Sequence, residues 1–62
     1  MKKPLKLVKW LLQEKLDFNV IHHHYGIEFN IPDKTGEFIY IEANDFDTME
    51  IDEIITKVQE LL

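Results

Sequence analysis

The first regular pattern along the chain is helical and covers residues 4–16. At about 100° per residue, the apolar positions gather on one broad face, with Leu7 at its edge. These positions are Leu5, Val8, Leu11, Leu12 and Leu16. Pro4 suits the first turn of a helix, where its missing N–H is not needed. Trp10 falls on the opposite side among lysines, which is unexpected for so large an apolar side chain.

The middle of the chain has the composition and alternation of β-strands. Residues 18–24 are rich in β-branched and aromatic side chains, and residues 27–31 alternate with the period of two that marks a half-buried strand. Residues 38–43 predict a third strand. Residues 32–36 place a proline early and a glycine late, as a hairpin loop requires. Gly26 marks either the turn between the first two strands or a bulge in one long strand.

The last predicted element is a helix that begins near Asp47. Asp47 followed by Glu50 three residues later fits a capping box, with Thr48 as the alternative first cap. The apolar positions that follow form a narrow helical stripe. They are Ile51, Ile54, Ile55, Val58, Leu61 and Leu62.

These elements predict one α+β domain over residues 1–62, in the order helix, three-stranded antiparallel sheet, helix (αβββα). Both amphipathic helices need an apolar surface to cover, and the connections are short, so we expect both helices on one face of the sheet. The positions expected beneath them are Val20, Ile27, Phe29, Ile31, Ile39 and Ile41. The positions expected on the other face are Ile21, His23, Tyr25, Glu28, Asn30, Phe38, Tyr40 and Glu42. A slip of one residue in strand register would exchange the two faces.

The size of the chain limits what it can do alone. Its 62 residues lie near the lower limit for independent folding, and it contains no cysteine for disulfides or thiolate metal sites. Dimerisation or binding to a larger partner would therefore add useful stability. The longest uncharged stretch is far shorter than the roughly 20 residues of a membrane span. Lysines and Glu14 also interrupt any leader-like apolar segment near the start, so we expect a cytoplasmic protein.

Charge is divided unevenly along the chain. Residues 1–16 carry a balance of +4 and residues 17–62 a balance of −9, which gives the net charge of −5. The most acidic stretch, residues 42–53, holds six carboxylates and no base. Such a surface repels nucleic acid and attracts basic protein surfaces.

Three consecutive histidines, residues 22–24, raise the question of a metal site. On a strand, His22 and His24 lie on one face with Cα atoms about 7 Å apart, and Glu28 or a neighbouring acid would be a third ligand. The chain has no further histidine, no cysteine and no HExxH-like spacing. We therefore expect three half-exposed imidazoles near a strand end, with no metal and no cofactor. A pH-dependent interface is the remaining alternative for these groups.

The order of elements resembles the double-stranded-RNA-binding domain, which is also helix, three strands, helix. Such domains bind phosphates through lysines at the start of the last helix, where this chain has Glu50, Asp52 and Glu53. The layout is also similar to the small HicA-type RNA-cleaving toxins, which place a histidine on a strand beside a Gly-Ser pair. Here Ile21 precedes His22. That resemblance implies an alternative function as a His-dependent ribonuclease.

The acidic stretch supports a different comparison. Small acidic inhibitors carried by phages and plasmids, among them anti-restriction and anti-CRISPR proteins, use carboxylates to imitate a phosphate backbone. This chain is similar to them in size, charge and lack of cysteine.

The sequence therefore predicts a non-enzymatic protein-binding module whose partner is a basic nucleic-acid-binding protein. The chain has no serine, no cysteine and no glycine-rich phosphate loop, so no catalytic residue is predicted. We expect no direct contact with nucleic acid and none with a membrane. The predicted partner-binding residues are the carboxylates Glu42, Asp45, Asp47, Glu50, Asp52 and Glu53 and the aromatic anchors Trp10 and Tyr40. A homodimeric structural domain is the other alternative.

Overall fold

The computed structural model describes residues 2–62, so Met1 of the predicted domain lies outside it. The described residues form a small α+β fold in which a helix precedes three antiparallel strands and two further helices follow. The elements are α1 (Lys2–Gln13), β1 (Asn19–His23), β2 (Gly26–Pro32), β3 (Phe38–Ile41), α2 (Ala43–Thr48) and α3 (Ile51–Leu61). No helix within this part of the chain has the length and apolar character needed to cross a membrane.

The three strands form a meander in the order β1-β2-β3, with antiparallel pairing throughout. Phe29 at the centre of β2 lies opposite Val20 on β1 and Ile41 on β3. On the other side of the sheet, Asn30 lies between Asn19 and Tyr40. This register confirms the predicted division of the strand positions between two faces, because residues predicted for one face lie opposite residues predicted for the same face.

One apolar core joins the helices to the sheet. Its fully buried members are Leu7, Leu11, Phe29, Ile31, Ile39, Ile41, Phe46, Ile54 and Val58. Every element except β1 contributes at least one of them. Val20 was expected in the core, but it is 39% exposed, and β1 buries none of its side chains fully.

The predicted core face of α1 is right for Leu11 and for Val8 and Leu16, which pack against the core, but wrong for Leu5 and Leu12. Leu7 and Leu11 are fully buried, whereas Leu5 and Leu12, which were expected to face the core, are 59% and 62% exposed. Trp10 is half-buried and packs against the core on the Leu7 side. The apolar residues of this helix form one wide arc, and the part of the arc next to Trp10, the largest residue, is the part that is buried.

The predicted end of α1 is also too late. The helix ends at Gln13, and Lys15 adopts a left-handed conformation with φ of 56°. The N–H of Leu16 donates to the carbonyl of Leu11, and the N–H of Lys15 donates to that of Leu12. This is the Schellman arrangement, which terminates a helix and is usually made with glycine.

The single last helix of the prediction is two helices. Asp47 and Thr48 lie inside α2, and Met49 interrupts the helical path with an extended backbone at φ −115° and ψ 146°. Glu50 is the N-cap of α3, so the predicted capping box of Asp47 with Glu50 is wrong. The third strand is correspondingly shorter than predicted, because Ala43 begins α2.

The turn between β2 and β3 is organised by one carboxylate. Asp33 Oδ1 accepts hydrogen bonds from the Thr35 hydroxyl, the Thr35 N–H and the Glu37 N–H. These bonds, with the Thr35 hydroxyl first, lower the pKa of Asp33, because they stabilise its ionised form. Gly36, with φ of 89°, supplies the left-handed position that the turn requires.

Candidate protein-binding surface

The six carboxylates of residues 42–53 lie on the segment that leaves the sheet and forms α2 and the start of α3. We call this set, Glu42, Asp45, Asp47, Glu50, Asp52 and Glu53, the acidic surface. All six side chains are exposed except that of Asp45, which is half-buried. Glu42 and Glu50 occupy equivalent positions as the N-caps of the two helices.

Four of these carboxylates form two capping boxes. At α2, the N–H of Glu42 donates to Asp45 Oδ2 at 2.9 Å. At α3, the N–H of Glu50 donates to Glu53 Oε1 at 3.2 Å. Part of the acidic surface therefore has a structural role, since capping satisfies N–H groups that the helix leaves unpaired. Neither box was predicted from the sequence, because Asp and Thr are the more common first caps and Glu is not.

Asp47 and Asp52 are different. Both are exposed, and no hydrogen bond or ion pair within residues 2–62 uses either side chain. No local side-chain contact accounts for these two charges, so they are the cleanest positions for testing a binding role. Asp52 also lies in the first turn of α3, where a negative charge is favoured.

No cation neutralises the acidic surface in the described part of the chain. The ion pair found there joins His23 to Glu28, on the sheet. Lys57 lines a groove with Asp52 and Glu53 but forms no ion pair with them. Lys3 also reaches this region, and it does not contact a carboxylate. Its ammonium group donates to the carbonyls of Phe46 at 2.8 Å and Met49 at 3.0 Å. Lys3 thus caps the carboxyl end of α2, where a cation is favoured, and leaves the carboxylates unpaired.

The two predicted aromatic anchors differ in exposure. Trp10 packs against the core, whereas Tyr40 on β3 is 54% exposed. Tyr40 precedes Glu42 by two residues in extended backbone, so both belong to the same side of the chain. The structure therefore brings Tyr40, and not Trp10, to the edge of the acidic surface. Ile21 and Phe38, at 39% and 41% exposure, lie on the same sheet face.

The histidine cluster is divided by the end of β1. His22 is exposed and lies opposite Ile27, and His24 is in the turn that follows the strand. His23 Nε2 lies 3.2 Å from Glu28 Oε1, and its ring stacks on Tyr25 with centroids 4.7 Å apart. Within residues 2–62, no group of three or more His, Cys, Asp or Glu side chains is placed to hold a metal ion.

Glu28 is held from both sides. With its amide oriented so that both ends find partners, Asn30 donates to Glu28 Oε2 at 2.8 Å, and His23 contacts the other oxygen. The histidine that the sequence offered for metal binding or catalysis is thus engaged with a carboxylate and a tyrosine ring. The cross-strand register brings these residues together, and the contact was not predicted from the sequence.

The chain was compared with known protein families, curated proteins and solved structures. No family model, no curated protein and no solved structure matches the chain.

Proposed function

We propose that this protein is a non-enzymatic binding module whose acidic surface occupies a basic, nucleic-acid-binding surface of a partner protein. The observation that carries the proposal is the density of unpaired charge. Six carboxylates lie within residues 42–53, and none forms an ion pair within the described residues. The two helix starts carry roughly half a positive charge each, which offsets only a small part of six negative charges.

The capping boxes favour binding as well as folding. A carboxylate already held by a backbone N–H has lost part of its rotational freedom before a partner arrives, so less entropy is lost on association. An array of such groups attracts lysine and arginine side chains over a distance of about one Debye length and steers the encounter. Tyr40 provides the aromatic anchor beside this array, because its exposed ring can be buried by the partner at little entropic cost.

The proposal includes an arrangement of the fold in which α1 and α3 cover the same face of the sheet. Its support is that their buried residues belong to one core with the inward strand positions, whereas Tyr40 and Phe38 remain exposed. Partner binding then uses the opposite face together with the acidic surface. A protein of this type acts as an inhibitor in the cytoplasm, in the manner of phage or plasmid anti-restriction and anti-CRISPR proteins.

The test is capture of partners from a lysate of the host cell, followed by release with salt and, separately, with duplex DNA. The proposal expects a basic nucleic-acid-handling protein that is released by both, because DNA and the acidic surface compete for one site. Asp47→Lys with Asp52→Lys should abolish capture. The matched control is Glu14→Lys with Asp17→Lys, which makes the same change in net charge at exposed positions outside the acidic surface.

Two results would contradict the proposal. One is equal loss of capture in both double variants, since overall charge and not the acidic surface would then decide binding. The other is a captured protein that DNA does not release, or that retains its DNA binding when the complex has formed.

A further inference from the structure

The solvent-exposed side of α1 is positively charged, in contrast to the acidic surface. Five exposed residues occupy it in two rows, with leucines in one and lysines in the other. We call the set Lys2, Leu5, Lys6, Lys9 and Leu12 the basic leucine face. Positions seven apart on a helix are nearly eclipsed, so Leu5 with Leu12 and Lys2 with Lys9 each span about 10.5 Å along the axis. This side of α1 is exposed because the helix packs into the core through Leu7 and Leu11.

A shallow groove on α3 has the complementary character. Its volume is about 370 Å³, and it is lined by Met49, Asp52, Glu53, Thr56, Lys57 and Glu60. Glu53 and Glu60 are also seven residues apart on one helix, so their spacing of about 10.5 Å equals that of Lys2 and Lys9. The groove carries three carboxylates against the single ammonium of Lys57. It therefore favours a cationic helix that also presents apolar side chains, with Met49 as the apolar contact.

We propose that the basic leucine face of one copy docks into the α3 groove of a second copy, and that a two-fold axis repeats the contact. The charge signs and the seven-residue spacings of the two surfaces match. In addition, α1 and α3 pack against each other within one chain, so the two surfaces lie on adjacent helices of each copy. A two-fold axis then forms two identical α1–α3 contacts at once.

The size of the chain is compatible with this dimer. A stable interface buries about 800 Å² on each partner, and the described protein exposes 4454 Å² in total. Two exposed leucines from each copy, 59% and 62% accessible, would enter the interface. An anionic membrane is a weaker fit for this face, because the chain as a whole has a net charge of −5 and is repelled by anionic lipid.

This inference goes beyond the proposed function and has a consequence for it. The α3 groove includes Asp52 and Glu53 of the acidic surface, so self-association and binding of a basic partner compete for those residues. The dimer is a property of the pure protein and is tested without any partner, which keeps the two proposals separately falsifiable.

The experiment is sedimentation equilibrium of the purified protein, with a monomer mass of 7.4 kDa, at low and high salt. The proposal expects a dimer at low salt that dissociates as salt rises, since screening weakens the lysine–carboxylate contacts. Lys2→Glu with Lys9→Glu should weaken association by at least about tenfold, and so should Asp52→Lys with Glu60→Lys. Glu53 is left unchanged because it caps α3.

Mixing these two double variants gives the decisive result. Each is self-repelling, but a heterodimer of the two restores opposite charges at both contacts, so the mixture should sediment as a dimer. Circular dichroism of each variant alone should show an unchanged fold. A wild-type protein that stays monomeric at low salt, a mixture that stays monomeric, or binding of wild-type monomer to anionic vesicles without dimerisation would each overturn the proposal.

Discussion

The two long helices, α1 and α3, have similar lengths but use their apolar residues differently. In α3 the buried residues Ile54 and Val58 lie in a single apolar stripe, and the opposite side is polar. In α1 the apolar residues form a wide arc, of which only the part with Leu7 and Leu11 is fully buried, while Leu5 and Leu12 at the other end are exposed. A helix with a narrow apolar stripe can pack in one orientation only. A helix with a wide apolar arc can bury either part of it, and packing with the other elements decides which part is buried.

The choice in α1 is explained by what lies on the same side as Leu7. Trp10 lies about 60° from Leu7 around the axis, and its ring adds a large apolar area to the core when that side is buried. Lys3 lies about 40° from Leu7, and from there its ammonium group reaches the carbonyls at the end of α2. Burial of the Leu5 and Leu12 side would have exposed the tryptophan and broken this cap.

The largest expected effect separates the two sides of α1. Leu11→Ala should reduce the free energy of unfolding by about 2–5 kcal/mol, because it opens a cavity in the core. Leu12→Ala should change it by less than about 0.5 kcal/mol in the monomer, because that side chain is mostly in solvent. Urea denaturation at low protein concentration measures both. Equal losses in the two variants would mean that α1 is rotated relative to the structure described here.

The next effect separates two lysines of α1. Lys3→Met should cost about 1–2 kcal/mol, since it removes two hydrogen bonds from a cation to carbonyls at a helix end. Lys6→Met, at an exposed position with no such bond in the described residues, should cost less than about 0.5 kcal/mol. Thermal unfolding followed by circular dichroism compares the two. A smaller loss of stability for Lys3→Met than for Lys6→Met would show that the contact of Lys3 with α2 does not stabilise the fold.

A smaller effect separates neighbouring acids at the start of α3. Glu53→Ala removes the hydrogen bond to the N–H of Glu50 and should cost about 1 kcal/mol. Asp52→Ala removes no side-chain bond and should cost only a few tenths of a kcal/mol, mainly through the loss of a favourable charge near the helix start. The same unfolding measurement applies. If Asp52→Ala reduces the stability more than Glu53→Ala, then Asp52 makes a stabilising contact other than helix capping.

The smallest expected effect is the pH dependence of stability that comes from Asp33 in the turn between β2 and β3, away from the helices. Because the pKa of folded Asp33 is lowered, its stabilising contribution is complete above the unfolded pKa of about 4 and is lost as the pH falls through the folded value. Asp33→Asn lacks this contribution, so its stability should change less steeply below about pH 4 than that of the wild type. An unchanged slope would show that Asp33 gains no stability from the turn.

Different parts of the fold were predictable to different degrees. The strands and their two faces follow from strict alternation, and the hairpin turn at residues 33–37 fixes one register. The break between α2 and α3 has no such signal, because Met49 is neither glycine nor proline and intrinsic helix propensity would carry the helix through it. That break is set by tertiary packing of Phe46 and Ile54 into the same core.

The candidate site was predictable in composition but not in geometry. The acidic stretch is visible in the sequence, and the structure leaves it without ion pairs in the described residues. The contact of Lys3 with Phe46 and Met49 spans 43 and 46 positions, so no local pattern reports it. The pairing of His23 with Glu28 depends on the β1–β2 register, which periodicity alone does not determine.

The position of β1 has a consequence for the order in which the molecule opens. Gly26, at the start of β2, lies so close to Ala43 that a side chain there would collide with it, and Phe29 and Ile31 of β2 are fully buried in the core. By contrast, β1 is joined to the rest of the fold through its pairing with β2 and has no fully buried side chain of its own. Its amide hydrogens should therefore exchange with solvent faster than those of β2 and β3, through local separation of one strand while the remainder stays folded.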